Sequence, residues 1–171
     1  MTVCATTWIH ARGCAKGSEL LVGVISDTHG LLRPEALDAL AGVEHILHAG
    51  DVGDVTILDA LRGIAPVTAI RGNIDSNGPC RELPETEAVE LGGCLIYMVH
   101  AIGDLDLSPS AAGMRMVVHG HSHQPSLEER GGVLYLNPGS AGARRFTLPV
   151  TVALVRITDC EPSATIVPLA I

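Results

Sequence analysis

The chain has 171 residues, enough for one domain of ordinary size, and its 47% hydrophobic and 18% charged content excludes a disordered protein. An aromatic content of 2% argues against a protein that stacks single-stranded bases on aromatic side chains. The formal net charge of -8 argues against general binding to nucleic acid and against attraction to an anionic membrane.

Residues 1–19 are interpreted as an N-terminal extension, disordered or dispensable, because they lack the apolar segment of a signal peptide. Residues 20–171 are expected to form a single domain. No apolar run in the sequence approaches the roughly 20 residues of a membrane span. The five cysteines are scattered and form no C-x-x-C pair, which favours reduced thiols and a cytoplasmic location.

The first half of the domain is predicted to alternate strands with helices. Apolar runs rich in β-branched residues indicate buried strands, and Pro34 and Asp54 suit the starts of two helices. The predicted elements are a strand at 20–26, a helix at 34–40, a strand at 43–49, a helix at 55–62 and a strand at 67–70. This order predicts a parallel sheet with right-handed crossovers.

The second half is predicted to consist mainly of hairpins, because its short apolar runs are separated by glycine pairs or a proline-containing turn. The predicted pairs are 88–91 with 94–100, 127–129 with 133–137, and 150–158 with 163–169, and a single strand is predicted at 115–119. A parallel half followed by antiparallel hairpins predicts two sheets that pack face to face, with helices outside.

Polar side chains of one chemical kind follow five of the predicted strands. Because ligands bind at the carboxyl ends of strands in open α/β sheets, we expect these side chains to meet in one crevice. Carboxylate, imidazole and amide groups suit Mn, Fe, Zn, Ni or Co, and seven such ligands are too many for one ion. The seven residues are Asp27, His29, Asp51, Asn73, His100, His121 and His123.

Two divalent ions that share a bridging carboxylate explain this ligand set. Their charge outweighs that of Asp27, Asp51 and a bridging hydroxide, so an acidic protein can still bind a phosphate locally. Two such ions can clamp a phosphate, and they lower the pKa of bound water toward about 7, so that hydroxide exists at neutral pH. The sequence therefore predicts a two-metal site that can bind a phosphate and hold a hydroxide nucleophile, with no side chain assigned as general acid or base.

The order D-x-H, G-D, G-N-x-D, a lone His after a strand, and G-H-S-H resembles the calcineurin-like metallophosphoesterases. The short length and the segment 137–140 (NPGS) resemble the small prokaryotic phosphodiesterase branch, whose fold is shared by a retromer subunit. The resemblance implies an α/β fold: a four-layer α-β-β-α sandwich of two mixed sheets flanked by helices.

The same resemblance implies how the ligands divide between the two metals. Asp27, His29 and His123 would hold one metal. Asn73, His100 and His121 would hold the other, and Asp51 would bridge them. Manganese is the expected metal, with Ni, Fe, Zn, Co and Mg as alternatives.

The resemblance also implies a function: in-line attack of a metal-bridging hydroxide on a small phosphodiester or nucleotide-like substrate. Two other hypotheses remain. The chain can be a non-catalytic or weakly active protein-binding scaffold of the same fold, or it can be a phosphomonoesterase. A homo-oligomer is also left open.

Three departures from the family pattern bear on the substrate. Ile74 stands where many members have a His, and His100 is followed by Ala101 and Ile102 where members usually have Gly. The segment 103–113 is too short for a full helix. General acid help is worth roughly 10²–10⁴-fold. Without an obvious acid, we expect a preference for good leaving groups such as aryl oxides.

Four further residues are candidates for the surroundings of the site. We expect Asp75 to orient the loop after the third strand, and His119 to be a strand residue or a donor to a ligand. Arg71 can hold a phosphate or form a structural salt bridge, and His48 can hydrogen-bond a ligand or pack in a strand. Arg144 and Arg145 are by default a solvated pair, with contact to substrate anions as the alternative.

Overall fold

The computed structural model of the protein describes residues 19–171, so the proposed extension lies outside the described residues except for Glu19. In the described part, the strands are β1 (Glu19–Ile25), β2 (His45–His48), β3 (Val67–Ala69), β4 (Thr86–Leu91), β5 (Cys94–Val99), β6 (Met116–Val118), β7 (Ser126–Arg130), β8 (Val133–Asn137), β9 (Thr151–Thr158) and β10 (Glu161–Pro168). The helices are α1 (Pro34–Ala39) and α2 (Val55–Arg62).

These strands form two five-stranded mixed sheets. The first has the order β10-β9-β1-β2-β3, in which β1, β2 and β3 are parallel and β9 pairs antiparallel with both β1 and β10. The second has the order β4-β5-β6-β8-β7, in which β5, β6 and β8 are parallel and the two edge strands are antiparallel. The predicted parallel half and the three predicted hairpins are therefore confirmed.

Both helices pack on the outer face of the first sheet. Pro34 occupies the first turn of α1, where its missing N–H costs nothing, and the Asp54 side chain accepts a hydrogen bond from the Thr56 N–H at the start of α2. A Cβ added at Gly23 in β1 would lie 2.5 Å from Leu40 Cδ2, so this glycine lets α1 approach the sheet closely. The buried aliphatic residues beneath the helices form one core layer.

A second core layer fills the space between the two sheets. Alternate residues of each strand point into it, as the two-residue period of strands requires. In β5, Ile96 and Met98 are completely buried in this layer, whereas Tyr97 and Val99 face the opposite side. The layer is aliphatic, with Val, Ile, Leu, Ala and Met side chains, in keeping with the low aromatic content.

The outer face of the second sheet is covered differently. The segment 101–114 crosses it, and Leu105, Leu107 and Met114 pack on Tyr97 and its neighbours. This segment contains a short 3-10 turn at Ile102–Asp104 and, as its length predicts, no α-helix. Within residues 19–171, α-helices therefore cover only the first sheet, and no helix has the length and hydropathy of a membrane span.

Candidate metal centre

All seven predicted ligand residues lie in loops that follow strands, and both sheets contribute. The loops after β1, β2 and β3 carry Asp27, His29, Asp51 and Asn73, and the loops after β5 and β6 carry His100, His121 and His123. Because the two sheets pack face to face with these ends together, the seven side chains converge on one crevice.

Four of these residues form the first half of the centre. One ligand atom of each of Asp27, His29, Asp51 and His123 lies within 4.8 Å of the others. His29 Nε2 lies 3.2 Å from His123 Nε2 and 3.9 Å from Asp27 Oδ1. Two imidazoles and two carboxylates at these separations can hold one divalent cation.

The other three residues form the second half around Asn73. Its Oδ1 lies 3.2 Å from His100 Nε2 and 3.0 Å from His121 Nδ1. Asp51 lies between the two halves, because its Oδ2 is 3.6 Å from His29 Nε2 and 3.4 Å from His100 Nε2. The arrangement can therefore offer one shared carboxylate to two neighbouring ions.

Asp27 is buried without full hydrogen bonding. Its Oδ2 accepts a hydrogen bond from the His121 N–H (3.2 Å), whereas its Oδ1 has no hydrogen-bond partner among the described residues. Burial raises the pKa of Asp27 above its usual value. A buried carboxylate oxygen without a donor is costly, and a bound cation would satisfy it. The residues present thus fit a divalent metal.

Burial, hydrogen bonds and nearby charges also shift the pKa values of other ligand side chains. Burial pushes the pKa of Asp51 upward, but hydrogen bonds with His100 and from the Ile74 N–H outweigh it and hold the pKa below its usual value. For His100, burial lowers the pKa, but the hydrogen bonds to Asp51 and to the Ala49 carbonyl, together with the charges of Asp51 and Asp27, outweigh burial and raise it. Burial lowers the pKa of His123. Asp51 is therefore ionised at neutral pH and ready to bind a cation.

The backbone at the centre is unusual. Left-handed φ angles are uncommon for residues other than glycine and cluster at functional sites. Three glycines allow the loops to approach, because a Cβ at Gly50, Gly72 or Gly120 would overlap His100, Asp51 or the Ser26–Asp27 pair respectively. The ligand residues with positive φ are Asp27 (54°), His29 (48°), Asp51 (54°), His121 (68°) and His123 (58°).

Asp75 holds two of these loops together. Its carboxylate accepts hydrogen bonds from the backbone N–H groups of Val52 (3.0 Å), Gly53 (2.8 Å) and Gly72 (2.9 Å). These donors flank Asp51 on one side and Asn73 on the other. These hydrogen bonds place Asp75 where its carboxylate can orient the loop after β3.

His48 packs in β2 and contacts the site indirectly. Its Nε2 lies 3.0 Å from Thr28 Oγ1, and that hydroxyl donates to the Val52 carbonyl (2.9 Å). The Thr28 hydroxyl has one hydrogen, which it gives to Val52, so it can only accept from His48. The Nε2 atom of His48 must therefore carry the hydrogen, which assigns the Nε2–H tautomer. The imidazole is completely buried, and burial lowers its pKa to about 4.

His119 and the segment 137–140 support the loop after β6. His119 Nδ1 lies 3.4 Å from Asn137 Nδ2, which donates to the Gly120 carbonyl (2.9 Å) and to Ser122 Oγ (3.0 Å). Ser140 Oγ donates to the carbonyl of Asp27 (2.9 Å). The turn thus joins the loops that carry Asp27 and His121.

Of the three arginines predicted near the site, Arg71 and Arg145 differ in their contacts. Arg71 forms an ion pair with Glu85 and donates to the Arg81 carbonyl (3.0 Å), as a structural salt bridge would. Arg145 Nη2 lies 3.5 Å from His29 Nε2 and lines the crevice. Sequence reasoning left Arg144 and Arg145 equivalent, because adjacent residues of the same type carry no signal that separates them.

Two cavities flank the centre. A cavity of about 260 Å³ is bordered by Asp51 and His123 and is closed by Ile74, Arg145 and Phe146. A cavity of about 630 Å³ extends from His100 over the outer face of the second sheet. Both are lined by Asn73 and His121, so they meet at the second half of the centre.

Comparisons with known proteins agree with this geometry. Residues 20–160 match the calcineurin-like phosphoesterase superfamily domain. A probable metallophosphoesterase of Methanocaldococcus jannaschii is 38% identical over 149 residues, which cover 82% of this chain and 78% of that protein.

Two solved structures share the fold. An archaeal phosphodiesterase has a TM-score of 0.70 at 22% identity, over 86% of this chain and 100% of that one. Vps29 of Entamoeba histolytica complexed with Zn²⁺ has a TM-score of 0.67 at 23% identity, over 87% of this chain and 99% of that one.

Proposed function

The chain belongs to the calcineurin-like phosphoesterase superfamily, and on this basis we propose that it is a metal-dependent phosphodiesterase that uses two divalent cations. The observation that carries the proposal is the position of Asp51. Its Oδ2 lies 3.6 Å from His29 Nε2 and 3.4 Å from His100 Nε2, between two groups of ligand atoms.

The ligands divide between the cations as follows. Asp27, His29 and His123 hold one cation and Asp51 bridges the pair. Asn73, His100 and His121 hold the other. Manganese is the first metal to test, since imidazole, carboxylate and amide ligands suit it along with Fe, Zn, Ni and Co.

When bound, two such cations supply an ionised water at neutral pH and positive charge that stabilises the phosphate as it reacts. Among the described residues, Arg145 adds the one guanidinium of the smaller cavity and can hold a phosphate oxygen. Ile74 is 40% exposed at the edge of this cavity and offers no proton to a leaving group. The leaving group must therefore depart without an acid from this position.

These features favour diesters over monoesters. A diester carries one negative charge and has two organic arms, and the two cavities that meet at Asn73 and His121 provide room for both. The fold shared with an archaeal phosphodiesterase is in keeping with this choice.

A second function, binding of a partner protein without catalysis, is favoured by one observation. Phe146 is 93% exposed and Ile74 is 40% exposed, and both line the smaller cavity. Exposed apolar side chains that form one contiguous patch mark interaction surfaces. The fold shared with Vps29 proteins supports the same alternative.

The test is hydrolysis of bis(4-nitrophenyl) phosphate and of 4-nitrophenyl phosphate by metal-stripped protein after addition of Mn²⁺, Ni²⁺, Co²⁺, Zn²⁺ or Mg²⁺. We expect metal-restored turnover that is faster on the diester. Asp51→Asn and His121→Ala should each abolish it. His45→Ala is the matched control, because His45 contacts Thr68 on the sheet and not the centre.

Each other outcome selects an alternative. Faster cleavage of the monoester would make the protein a phosphomonoesterase. Absence of turnover with every metal, despite bound ions by elemental analysis, would contradict the enzyme and leave the protein-binding function.

A further inference from the structure

The cavity of about 630 Å³ differs in charge from the rest of the site. Asp104 and Asp106 line it with exposed carboxylates that form no ion pair with any residue in 19–171. Its guanidinium belongs to Arg71, which is already neutralised by Glu85. The described side chains that line this cavity therefore carry excess negative charge, whereas in the smaller cavity Arg145 offsets Asp51.

Tyr97 gives this cavity a polar group that has no partner among residues 19–171. Its side chain is 8% exposed on the outer face of the second sheet and lines the cavity. Its hydroxyl makes no hydrogen bond with the residues from 19 onward and remains accessible to solvent. A buried side chain of this kind usually finds a partner, and here a ligand can supply it.

The position of the cavity connects it to the reaction. It shares Asn73, His100 and His121 with the candidate metal centre, so a group bound there is attached within reach of a phosphate at the centre. The smaller cavity shares Asn73 and His121 as well. A phosphodiester bound at these residues would place its two ester arms in two cavities that differ in charge.

We propose that the larger cavity binds one arm of the phosphodiester substrate and that this arm carries a cationic ammonium group. The proposal rests on the proposed function and deepens it by naming a substrate class. Asp104 and Asp106 attract the cation, and the Tyr97 hydroxyl hydrogen-bonds a polar atom of the arm. An anionic arm would be repelled by the same carboxylates, which disfavours substrates with a second phosphate on this side.

The kinetic test compares two esters of equal shape: 4-nitrophenyl phosphorylcholine and 4-nitrophenyl 3,3-dimethylbutyl phosphate, in which carbon replaces the charged nitrogen. We expect kcat/KM to be about tenfold higher for the cationic ester, the effect of two carboxylates about 5 Å away in a water-like dielectric. In Asp104→Asn/Asp106→Asn the ratio should fall to about one. Asp38→Asn/Asp59→Asn, which changes the net charge equally at a distance, should keep the tenfold ratio.

An equal or higher kcat/KM for the neutral ester in the native protein would overturn the proposal. A tenfold ratio that persists in Asp104→Asn/Asp106→Asn would also overturn it, because the preference would then come from elsewhere. Both variants alter exposed side chains and should fold normally. Turnover of bis(4-nitrophenyl) phosphate in the same assay shows separately whether the proposed function holds.

A binding measurement tests the cavity without catalysis. NMR titration of the Zn²⁺-loaded protein with choline should shift the backbone amide signals of Tyr97, Asp104 and Asp106, and 3,3-dimethylbutan-1-ol should shift them at least tenfold less at equal concentration. If choline shifts none of these signals, or both compounds shift them equally, the cavity does not recognise an ammonium group, whatever the enzyme hydrolyses.

Discussion

Asp27 is the residue at which the fold and the candidate metal centre conflict most directly. It is completely buried, and its Oδ1 accepts no hydrogen bond from the described residues. An unsatisfied buried polar group costs roughly 1–3 kcal/mol. The protein retains this cost in the absence of a cation, which is expected of a side chain placed for binding and not for stability.

Asp27→Asn should therefore stabilise the metal-free protein while removing its response to metal. Asparagine tolerates the φ of 54°, and its amide can donate toward His123 Nε2, which lies 3.4 Å from the present Oδ1. We expect a gain of about 1–2 kcal/mol, or about 2–8 °C in Tm, in chelator. Thermal unfolding in chelator and in Mn²⁺ measures both effects, and a variant less stable than the native protein in chelator would contradict them.

His48 should make the stability of the metal-free protein depend on pH. Its folded pKa of about 4 lies below the usual value of 6.5. As the pH falls below about 6.5, the unfolded chain binds a proton that the folded protein excludes until about pH 4, so stability is lost across this range. The loss amounts to about 3 kcal/mol for a shift of this size.

In His48→Gln the unfolding free energy should depend less steeply on pH between pH 6.5 and pH 4. The change in slope should correspond to the uptake of up to one proton fewer on unfolding. Glutamine can still donate to the Thr28 hydroxyl, so the loops should remain in place. Urea unfolding in chelator at several pH values provides the measurement. An unchanged slope would mean that His48 binds its proton at about the same pH in the folded protein as in the unfolded chain.

At the scale of elements, the site depends on how closely the loops after β2 and β3 approach each other. A Cβ at Gly72 would overlap both the carboxylate and the backbone nitrogen of Asp51, and backbone cannot move aside as a side chain can. The Gly72 N–H also donates to Asp75. The spacing between the loops after β2 and β3 is therefore set by a missing side chain.

Gly72→Ala should lower activity at least about 100-fold and weaken metal binding, because displacement of a catalytic group by about 1 Å has effects of this size. Gly103→Ala is the matched control, since a Cβ there would meet no atom within 4 Å. Diester hydrolysis and bound metal by elemental analysis are the measurements. A fully active Gly72→Ala protein would show that the loops adapt.

The strand and helix positions were largely predictable from sequence, and the reason is local. Apolar runs and the starts at Pro34 and Asp54 place the ends of every described strand and α-helix within two residues; β2, for example, begins at His45 instead of residue 43. Seven polar residues after strands suffice to predict that they meet. The cavity over Tyr97 was not predictable, because it depends on how the segment 101–114 lies on the second sheet.

At the scale of the whole molecule, the candidate metal centre lies across two sheets that are also held together by their own aliphatic core. Metal should therefore add to stability without being required for folding. At a free concentration about 100 times its Kd, a cation adds about 2.7 kcal/mol, or about 5–11 °C in Tm for a chain of this length.

We expect Mn²⁺ to raise the Tm of the metal-stripped native protein by this amount, and to raise that of His121→Ala less. His45→Ala should respond as the native protein does. Scanning calorimetry at several metal concentrations measures the shifts. An unchanged Tm at saturating metal would contradict binding to the folded state.

The position of β1 inside the first sheet determines when the protein can acquire metal during its synthesis. β1 pairs on one side with β9, so Val22 lies beside Val155 and the sheet is incomplete until the C-terminal strands have left the ribosome. His29 and His123, 3.2 Å apart at the centre, come from chain segments separated by 94 positions. Contacts of such separation carry the entropy cost of closing a long loop, and both segments must be present before the ligands can meet. The ions available where the finished chain folds would therefore decide which metal is loaded.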